Sequence, residues 1–451
     1  MDLDHVVHCH ASSGRLPEAG SEVVLEAEGV HLTDDRGRAR LDGIAGLHGV
    51  NIGHGRAEMA RAISAQVLEM GSVGPFSHTA SGPQAELARR LAGLAPASLN
   101  RVLYSRGGSE ANDLALQLVS RYFGRLGQPE KKKIISRIGA CHGSTYATAS
   151  LSGDRSSASD AGPNAGWVHH ISAPNLFRMP AGPTEAEYCD HLVSEFEQRL
   201  EALGPESVAA FIAEPIMGMA GILLAPEGYH RRMQAVCRAH DILYIADEAL
   251  VSFGRLGEML TSEAIFGVVP DLLCLSGSLT SGYLPLGATL VSDAFYDVIS
   301  SGPDADLFSP GFSSSGHPTA CAAAISNLDI LEEEEICSHV RRIGPLFQEE
   351  VARLERLDLV ADVRGSHFLA GVELADHVVG GTGPELARRA VRQCSEYGLV
   401  TCSMGSVIAL APPLIVSREH CAMMPEILGR ALEEVQSAFE SEGPIPANIQ
   451  A

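Results

Sequence analysis

The chain has 451 residues, 45% of them hydrophobic and 20% charged, a composition typical of a soluble globular protein long enough for two subdomains. Its formal net charge of −23 argues against a nucleic-acid partner, because the phosphates would be repelled. The longest apolar runs are strand-sized, which argues against a membrane span. The amino terminus lacks the basic and apolar regions of a secretory signal, and the 10 cysteines are scattered without a CxxC pair, so we expect a cytoplasmic protein with reduced, mostly buried thiols.

Hydrophobic periodicity predicts alternating strands and helices along most of the chain. Residues 22–42 predict two short strands and a turn, and a turn-rich stretch follows at 46–55. Helices are then predicted at 57–69, 84–94 and 110–122. Strands are predicted at 101–104, 133–136, 208–212, 242–246, 272–275 and 287–291. Short apolar strands separated by helix-length segments indicate an α/β fold with a largely parallel sheet covered by helices on both faces.

A smaller α+β unit is predicted towards the carboxyl terminus. A long helical pattern runs from Pro318 to about Glu334, and strand candidates follow at 360–363, 369–372 and 407–410. Residues 155–165 are rich in Ser, Gly, Ala and Asp, which predicts a flexible loop.

Glycine-rich and acidic motifs follow several of the predicted strands. Residues 106–113 form a glycine-rich turn that opens a helix, where backbone N–H groups and the helix dipole favour an anion. A tight strand-to-helix turn also uses glycine, so this motif alone is weak. Glu214 and Asp247 stand at the carboxyl ends of buried strands, a common position for a ligand partner but also for a helix cap or a salt bridge.

Taken in chain order, the motifs resemble those of the class III aminotransferases, which are pyridoxal-phosphate enzymes of fold type I. Within that family, the branch that uses ω-amino donors with pyruvate is the most similar. The resemblance covers roughly residues 10–435. It is carried by residues 41–47 (LDGIAGL), 53–55 (GHG), 76–79 (FSHT), 108–112 (GSEAN), 141–144 (CHGS), 213–215 (AEP), 247–248 (DE), 253–255 (FGR), 282–288 (GYLPLGA) and 315–318 (SGHP).

The resemblance implies a large domain with a mostly parallel seven-stranded sheet and a smaller α+β domain. The expected boundaries are 1–49 for the amino-terminal part of the small domain, 50–325 for the large cofactor-binding domain and 326–451 for the carboxyl-terminal part. Since the family is built as homodimers with sites at the subunit interface, we expect a homodimer that takes a small amino or keto substrate.

The resemblance also implies roles for individual residues. Gly108 and Ser109 would hold the cofactor phosphate, and Ser313 falls where the family has a threonine that reaches the phosphate of the neighbouring subunit. Asp247 would pair with the pyridine nitrogen and keep it protonated, so that the ring can draw electrons from the substrate. Glu214 would be a supporting or substrate-facing carboxylate, and Cys141 and His142 fall in the cofactor site.

The lysine that the family chemistry requires is missing. At Gly277 the family has a lysine that forms a Schiff base with the cofactor and later shuttles a proton, and glycine can do neither. A positioned acid–base group is typically worth roughly 10²–10⁴-fold in rate. The chain contains only three lysines, at 131–133, in a polar segment predicted to be an exposed loop, so another lysine is not expected to replace it.

Four further positions depart from the family pattern. Cys141 stands where an aromatic ring usually stacks on the pyridine, and Ser314 replaces the usual aromatic beside the phosphate-binding hydroxyl. Cys402 falls near an arginine that many relatives use to grip a substrate carboxylate. His48 takes a place where the most similar branch often has an aromatic. Together these departures indicate altered or lost transamination, with His48 and Cys402 as candidate substrate residues.

Two other motifs are interpreted without a special function. Cys141 beside His142 suggests a nucleophile with its base, but neighbours on a strand point to opposite faces. Residues 8–10, His-Cys-His, have no fourth ligand at a suitable spacing, so no metal site is predicted.

Several hypotheses remain open at this point. The first is a class III aminotransferase-like protein that binds pyridoxal or pyridoxamine phosphate without a covalent lysine, either naturally or because the lysine of a working transaminase was replaced. The second is a non-catalytic pseudoenzyme that acts as a partner of an active paralogue. The third is an enzyme that reuses the interface cavity without pyridoxal phosphate. A bound cofactor, and its chemical form, would separate them.

Overall fold

The computed structural model of the protein describes residue 5 and residues 23–73, 79–96, 98–153, 166–302, 310–376 and 381–442. The His-Cys-His motif at 8–10, the motif residues 76–78 and the predicted loop at 155–165 lie outside these ranges.

Strands make up the centre of the molecule and its smaller sheets. They are β1 (Val24–Glu28), β2 (His31–Asp34), β3 (Ala39–Asp42), β4 (Arg101–Ser105), β5 (Lys133–Arg137), β6 (Val168–Ile171), β7 (Val208–Ala213), β8 (Ile216–Met217), β9 (Leu223–Leu224), β10 (Leu243–Asp247), β11 (Leu272–Leu275), β12 (Gly287–Val291), β13 (Val360–Ser366), β14 (Leu369–Leu374), β15 (Leu399–Val400), β16 (Cys402–Met404) and β17 (Val407–Leu410).

Helices cover the central sheet and fill the carboxyl-terminal part. They are α1 (Ala57–Glu69), α2 (Gly82–Leu94), α3 (Gly108–Arg125), α4 (Tyr146–Leu151), α5 (Glu185–Leu203), α6 (Tyr229–Ala239), α7 (Asp293–Ser300), α8 (Pro318–Glu333), α9 (Ile336–Ala352), α10 (Gly383–Glu396) and α11 (Arg418–Glu442). The elements that were not predicted from the sequence are strands β6, β8, β9, β15 and β16 and helices α4, α5, α6, α7, α9, α10 and α11.

The central sheet has seven strands in the order β4-β12-β11-β10-β7-β5-β6. Only β12 is antiparallel to its neighbours, β11 and β4, whereas the other pairs are parallel. Every residue of β7, β10, β11 and β12 is buried, which explains their continuous apolar runs, because both faces of the sheet are covered. The prediction of a mostly parallel seven-stranded sheet is confirmed.

Alternate residues of the central strands pack on opposite faces. Phe211 and Tyr244 belong to one apolar cluster, which also contains Phe196 of α5. Ile212 and Ile245, their neighbours in sequence, belong to a second cluster with residues of α3 and α7. This alternation follows from the two-residue period of a strand and gives the sheet helices on both sides.

The amino-terminal and carboxyl-terminal segments share a sheet. Three strands, β1, β2 and β3, form where two were predicted, and β15 extends them in the order β1-β2-β3-β15. Strand β15 runs parallel to β3, with Leu399 opposite Leu41. A second sheet has the order β13-β14-β17-β16. Segments from both ends of the chain therefore share one four-stranded sheet.

Candidate functional site

A cavity of about 210 Å³ lies at the carboxyl ends of the central strands. Parallel strands bring the loops after β5, β7, β10 and β11 to one edge of the sheet, where α/β proteins commonly bind ligands. The side chains and backbone that line the cavity include Cys141, Glu214, Asp247, Ser276, Gly277 and His48. Five of the ten site residues predicted from the sequence therefore line this cavity, namely His48, Cys141, Glu214, Asp247 and Gly277.

Asp247 is held rigidly at the end of β10, with only 3% of its surface exposed. Its Oδ2 atom accepts hydrogen bonds from Asn112 Nδ2 at 2.7 Å and pairs with His142 Nδ1 at 2.8 Å. Its Oδ1 atom accepts the backbone N–H of Ala249 at 3.2 Å. Asn112 also donates to the His142 carbonyl at 2.9 Å. A carboxylate with this many partners stays in one orientation, with one edge towards the cavity.

Asn112 is a site residue to which the sequence analysis gave no role. It lies in the glycine-rich motif and reaches Asp247 because α3 packs across the sheet. Its place four residues after Gly108, on the buried face of an amphipathic helix, was the available signal.

Cys141 and His142 lie in a loop after β5, not on a strand, which corrects the geometric reason given above. Their side chains nevertheless separate: His142 is buried against Asp247, whereas Cys141 is exposed at the cavity. The backbone N–H of Cys141 donates to Glu214 Oε1 at 3.1 Å. The His142 ring therefore pairs with the Asp247 carboxylate and not with the Cys141 thiol.

Both oxygens of Glu214 accept backbone hydrogen bonds. Besides the bond from Cys141, Gly218 N donates to Oε2 at 3.1 Å. Burial raises the pKa of Glu214, and the nearby His142 and Arg137 oppose that shift. Arg137 itself donates to the backbone carbonyl of Glu214 at 2.6 Å and so lies behind the cavity wall. The result is a fixed, buried carboxyl group at the end of β7.

The predicted phosphate site lies at the start of α3. This helix of 18 residues begins at Gly108, and Ser109 Oγ accepts the backbone N–H of Ser144 at 3.0 Å. Gly143 has a φ of +128°, and a Cβ there would lie 2.5 Å from Ser109 Oγ, so only glycine fits. A Cβ at Gly108 would lie 3.0 Å from Ser276 Oγ, which places the helix start against the cavity wall.

Gly277 begins a short 3-10 turn directly after β11 and faces open space. A Cβ at this position would meet no atom within 4 Å. The backbone φ angle of Gly277 is not positive, so the backbone conformation does not require glycine. Gly49 packs over it, since a Cβ at Gly49 would lie 3.7 Å from the carbonyl carbon of Gly277. The backbone thus leaves room for a side chain that the sequence does not provide.

The three lysines do not fill that space. Lys131 is buried rather than exposed, and its Nζ donates to the His240 carbonyl at 3.1 Å. Lys133, the first residue of β5, donates to the Leu203 carbonyl at 2.9 Å. The prediction of an exposed loop is wrong for Lys131 and Lys133. Their hydrogen bonds to backbone carbonyls offset part of the free-energy cost of burying the ammonium groups. All three lysines lie at the amino end of β5, whereas Asp247 lies at the carboxyl end of β10, so they are at opposite ends of the parallel strands.

His48 reaches the cavity through an unusual backbone turn. Ala45, Gly46, Leu47 and His48 have φ values of +48°, +55°, +70° and +69°. Arg255 stabilises this left-handed turn, since its Nη2 atom donates to the His48 carbonyl at 3.3 Å and to Asn51 Oδ1 at 2.9 Å. Strain of this kind persists only where surrounding contacts hold it, and nothing in the sequence predicted it.

Acid should destabilise the protein through His48. Burial, with a smaller effect of Arg255, lowers the pKa of His48 from 6.5 to about 3. Below pH 6.5 the His48 imidazole binds a proton in the unfolded chain but stays neutral in the folded protein. The free energy of unfolding therefore falls as the pH drops from 6.5 towards about 3. At about pH 5 this loss is expected to be about 2 kcal/mol. Urea unfolding would measure the free energy of unfolding of the parent protein and of His48→Phe at about pH 7.5 and about pH 5. Between these two pH values, the free energy of unfolding should fall by about 2 kcal/mol less in His48→Phe than in the parent protein.

The matched control for this measurement is His191→Phe, at an exposed position of α5. It should follow the pH dependence of the parent protein. An equal loss in His48→Phe and in the parent would contradict the prediction.

Two predicted site residues lie away from the cavity. Cys402 packs in an apolar cluster with Leu250 and Met404, and burial raises the pKa of its thiol to about 11. Ser313 and Ser314 are exposed on this chain, and neither is among the residues that line the cavity. The predicted role of Ser313 concerns the neighbouring subunit and remains a prediction.

The residues present fit a cofactor that carries a ring nitrogen and a phosphate. Asp247 offers a buried carboxylate to a protonated nitrogen, and the start of α3 offers backbone N–H groups to an anion. The cavity that Asp247 lines, of about 210 Å³, is smaller than the roughly 300–1,000 Å³ of a typical small-molecule pocket. In the part of the chain that the structure describes, no helix is long and apolar enough to cross a membrane.

The family model described as aminotransferase class-III matches residues 18–432. The chain is 33% identical to a putrescine–pyruvate aminotransferase of Pseudomonas aeruginosa, over 97% of this chain and 96% of that protein. It is 35% identical to a chloroplastic gamma aminobutyrate transaminase 3 of Solanum lycopersicum, over 93% of this chain and 82% of that protein.

Solved structures show the same similarity in three dimensions. The ω-transaminase of Pseudomonas jessenii in complex with PMP superimposes with a TM-score of 0.93 at 34% identity, covering 98% of this chain and 99% of that one. An (S)-enantioselective ω-transaminase from Thermomicrobium roseum gives a TM-score of 0.93 at 36% identity, covering 96% and 97%. With this fold, these motifs and these matches, the chain belongs to the class III aminotransferase family.

Proposed function

We propose that this protein binds pyridoxal or pyridoxamine phosphate without a covalent bond, and that ordinary transamination is lost or altered. The observation that carries the proposal is the open space at Gly277 beside an intact Asp247 site. The partners of the carboxylate are all in place, whereas the side chain that would anchor the cofactor is missing.

Each part of the site would have a defined task. When bound, the cofactor would supply a ring that withdraws electrons from the substrate. Asp247 would hold a proton on the ring nitrogen, and Gly108 and Ser109 would receive the phosphate at the start of α3. Ser313 of the partner subunit would complete the phosphate site, which is why we propose a homodimer.

Proton transfer is the task that the site performs least well. Ser276 and Ser278 flank Gly277, and Ser278 Oγ lies 3.3 Å from Ser252 Oγ, so its nearest partner is another neutral hydroxyl. A hydroxyl without a basic neighbour is a poor proton acceptor at neutral pH. Loss of a positioned acid–base group is typically worth roughly 10²–10⁴-fold in rate. A protein with this site would transaminate slowly or not at all.

The remaining proposals follow from the family. The substrate would be a small amino or keto compound, as the names of the relatives indicate. We further propose a cytoplasmic protein whose large domain spans 50–325 and whose small domain joins 1–49 with 326–451. The alternative is a pseudoenzyme that partners an active paralogue, in which Cys141 at the cavity and Cys402 among apolar side chains would have no catalytic role.

The deciding experiment is a calorimetric titration of the purified protein with pyridoxal phosphate and, separately, with pyridoxamine phosphate. Reversible binding of both is expected, weaker than in relatives, and borohydride should leave the mass of the denatured chain unchanged. The absence of binding at about millimolar concentration would refute the proposal and favour the pseudoenzyme or a reused cavity. A mass increase after borohydride would show that another residue replaces the lysine.

A further inference from the structure

A path of hydrogen bonds joins the carboxyl-terminal sheet to the wall of the cavity, and it starts at Arg364 of β13. The Arg364 side chain is 13% exposed, and its Nη1 atom pairs with Glu373 Oε2 at 2.7 Å and with Asp362 Oδ2 at 2.6 Å. Its Nε atom donates to the Gly221 carbonyl at 2.8 Å. The guanidinium group is therefore anchored on β13 and β14, and it bonds to a segment of the other domain.

That segment is the connection between β8 and β9, residues 218–222, which we call the 218–222 turn. The backbone N–H groups of Gly221 and Ile222 both donate to the Gly218 carbonyl at 3.0 Å. Ile222 is fully buried and has a φ of +58°, a rare conformation for a β-branched residue, which persists only where surrounding contacts hold it. A Cβ at Gly371 would lie 3.0 Å from the Gly221 carbonyl oxygen, so β14 packs directly against the turn.

The other end of the turn bonds to Glu214. Gly218 N donates to Glu214 Oε2 at 3.1 Å, and Cys141 N donates to Glu214 Oε1 at 3.1 Å. The Glu214 carboxyl group thus joins the 218–222 turn to the loop after β5. Its place in the cavity wall depends on where these two backbone segments lie, because both hydrogen bonds come from them.

We propose that Arg364 is a positioning residue for Glu214. Arg364 fixes the 218–222 turn from the carboxyl-terminal sheet, the turn fixes the Glu214 carboxyl group, and this group fixes the backbone at Cys141. Arg364 is not among the described residues that line the cavity, so it acts on the cavity only through this path. The inference stands on the contacts within the chain, and its consequence for cofactor binding rests on the function proposed above.

Arg178 provides the comparison that separates this role from a simple ion pair. It lies on the 3-10 turn after β6, its Nη2 atom pairs with the same Glu373, and its side chain is 61% exposed. In the described part of the chain, no hydrogen bond joins Arg178 to the 218–222 turn. A variant of Arg178 therefore disturbs the same carboxylate without releasing the Gly221 carbonyl.

The test is hydrogen–deuterium exchange of the purified full-length protein at about pH 7.5, read by mass spectrometry of peptides. Methionine keeps the length of an arginine side chain but donates no hydrogen bond. In Arg364→Met, the amides of residues 216–224 and of residues 139–144 should exchange at least about tenfold faster than in the parent protein. In Arg178→Met, both segments should exchange as in the parent, and unchanged rates in Arg364→Met would overturn the proposal.

Residues 261–262 are an internal control for global stability. Their backbone N–H groups donate to a different buried carboxylate, Glu248, at 2.8 and 2.7 Å. Exchange there should be the same in Arg364→Met as in the parent. Equal acceleration at 261–262, 216–224 and 139–144 would show that Arg364 acts through the stability of the whole protein, and it would refute a positioning role.

A double-mutant comparison tests the path itself. Glu214→Met removes both acceptor oxygens, so residues 139–144 should already exchange faster in this variant. Adding Arg364→Met should then accelerate residues 216–224 but change residues 139–144 by less than about twofold. A further acceleration of 139–144 would mean that Arg364 reaches the loop by another route, against the proposal.

A second variant keeps the test available if Arg364→Met does not fold. Loss of Arg364 leaves the buried Glu373 with a single exposed partner, and an uncompensated buried charge is strongly destabilising. The double variant Arg364→Met/Glu373→Gln removes that charge and still lacks the donor to Gly221. It should show the same local acceleration of exchange at 216–224 and 139–144, and parental rates there would overturn the proposal.

The positioning role and the cofactor proposal can fail separately. If Arg364→Met accelerates exchange as described while the parent protein binds no pyridoxal phosphate, the positioning role stands and the cofactor proposal fails. If the parent binds pyridoxal phosphate and Arg364→Met exchanges like the parent, the positioning role is refuted and the cofactor proposal stands.

Discussion

Gly277→Lys is expected to create covalent attachment of pyridoxal phosphate while restoring little transamination. The backbone at Gly277 leaves room for a side chain, and the new amine would enter a cavity that contains Glu214 and Asp247. A returned acid–base group is worth roughly 10²–10⁴-fold in rate, and we expect only the lower end of that range. Borohydride reduction followed by intact mass would detect the attachment, and turnover with amine donors and pyruvate would measure the gain.

The gain should be small because other contacts are still missing. Cys141 cannot supply the stacking surface of an aromatic ring, a contact worth about 0.5–1.5 kcal/mol beyond burial. Cys402 packs among apolar side chains and offers no guanidinium to a substrate carboxylate.

The control for this variant is Gly93→Lys, which adds a lysine on an exposed position of α2 and should remain unmodified after the same treatment. Rates like those of active relatives would show that the other departures are neutral and that the chain is a transaminase with its lysine replaced. If no attachment forms, the position assigned to the lysine, or to the cofactor, is wrong.

Asp247→Asn is expected to weaken pyridoxal phosphate binding by about 10–100-fold, since hydrogen bonds to charged groups are worth about 1.5–3 kcal/mol. The amide has the shape of the carboxylate but cannot stabilise a proton on the ring nitrogen by its charge. Asn112 Nδ2 and His142 Nδ1 already share Asp247 Oδ2, so an amide oxygen in that place would leave the new NH₂ group facing the backbone N–H of Ala249. Calorimetry with pyridoxal phosphate measures the change directly.

Asp271→Asn provides a matched control at the opposite end of the central strands. Asp271 precedes β11 and accepts the backbone N–H of Tyr244 at 2.7 Å, far from the carboxyl ends of the strands. Its substitution should leave cofactor affinity unchanged even if it lowers stability. Comparable losses of affinity in both variants would mean that Asp247 acts through the stability of the sheet and not through the cofactor.

The sequence by itself determined six of the seven strands of the central sheet and the outline of the site. The predicted bounds of β11, β12 and β17 agree with the structure, because short apolar runs between turn residues leave little freedom in register. Asp247 was placed correctly at the carboxyl end of a buried strand, and parallel strands bring such ends together. The absence of a lysine at 277 is likewise a property of the sequence alone.

Only the tertiary structure decided which polar groups meet and which are covered. The burial of Lys131, the bond from Asn112 to Asp247 and the separation of Cys141 from His142 depend on elements far apart in the chain. The left-handed turn at His48 is held by Arg255, about two hundred residues away, and no local pattern encodes it. Local periodicity reports the burial of a segment, whereas the partner of a buried polar group is chosen by packing between segments.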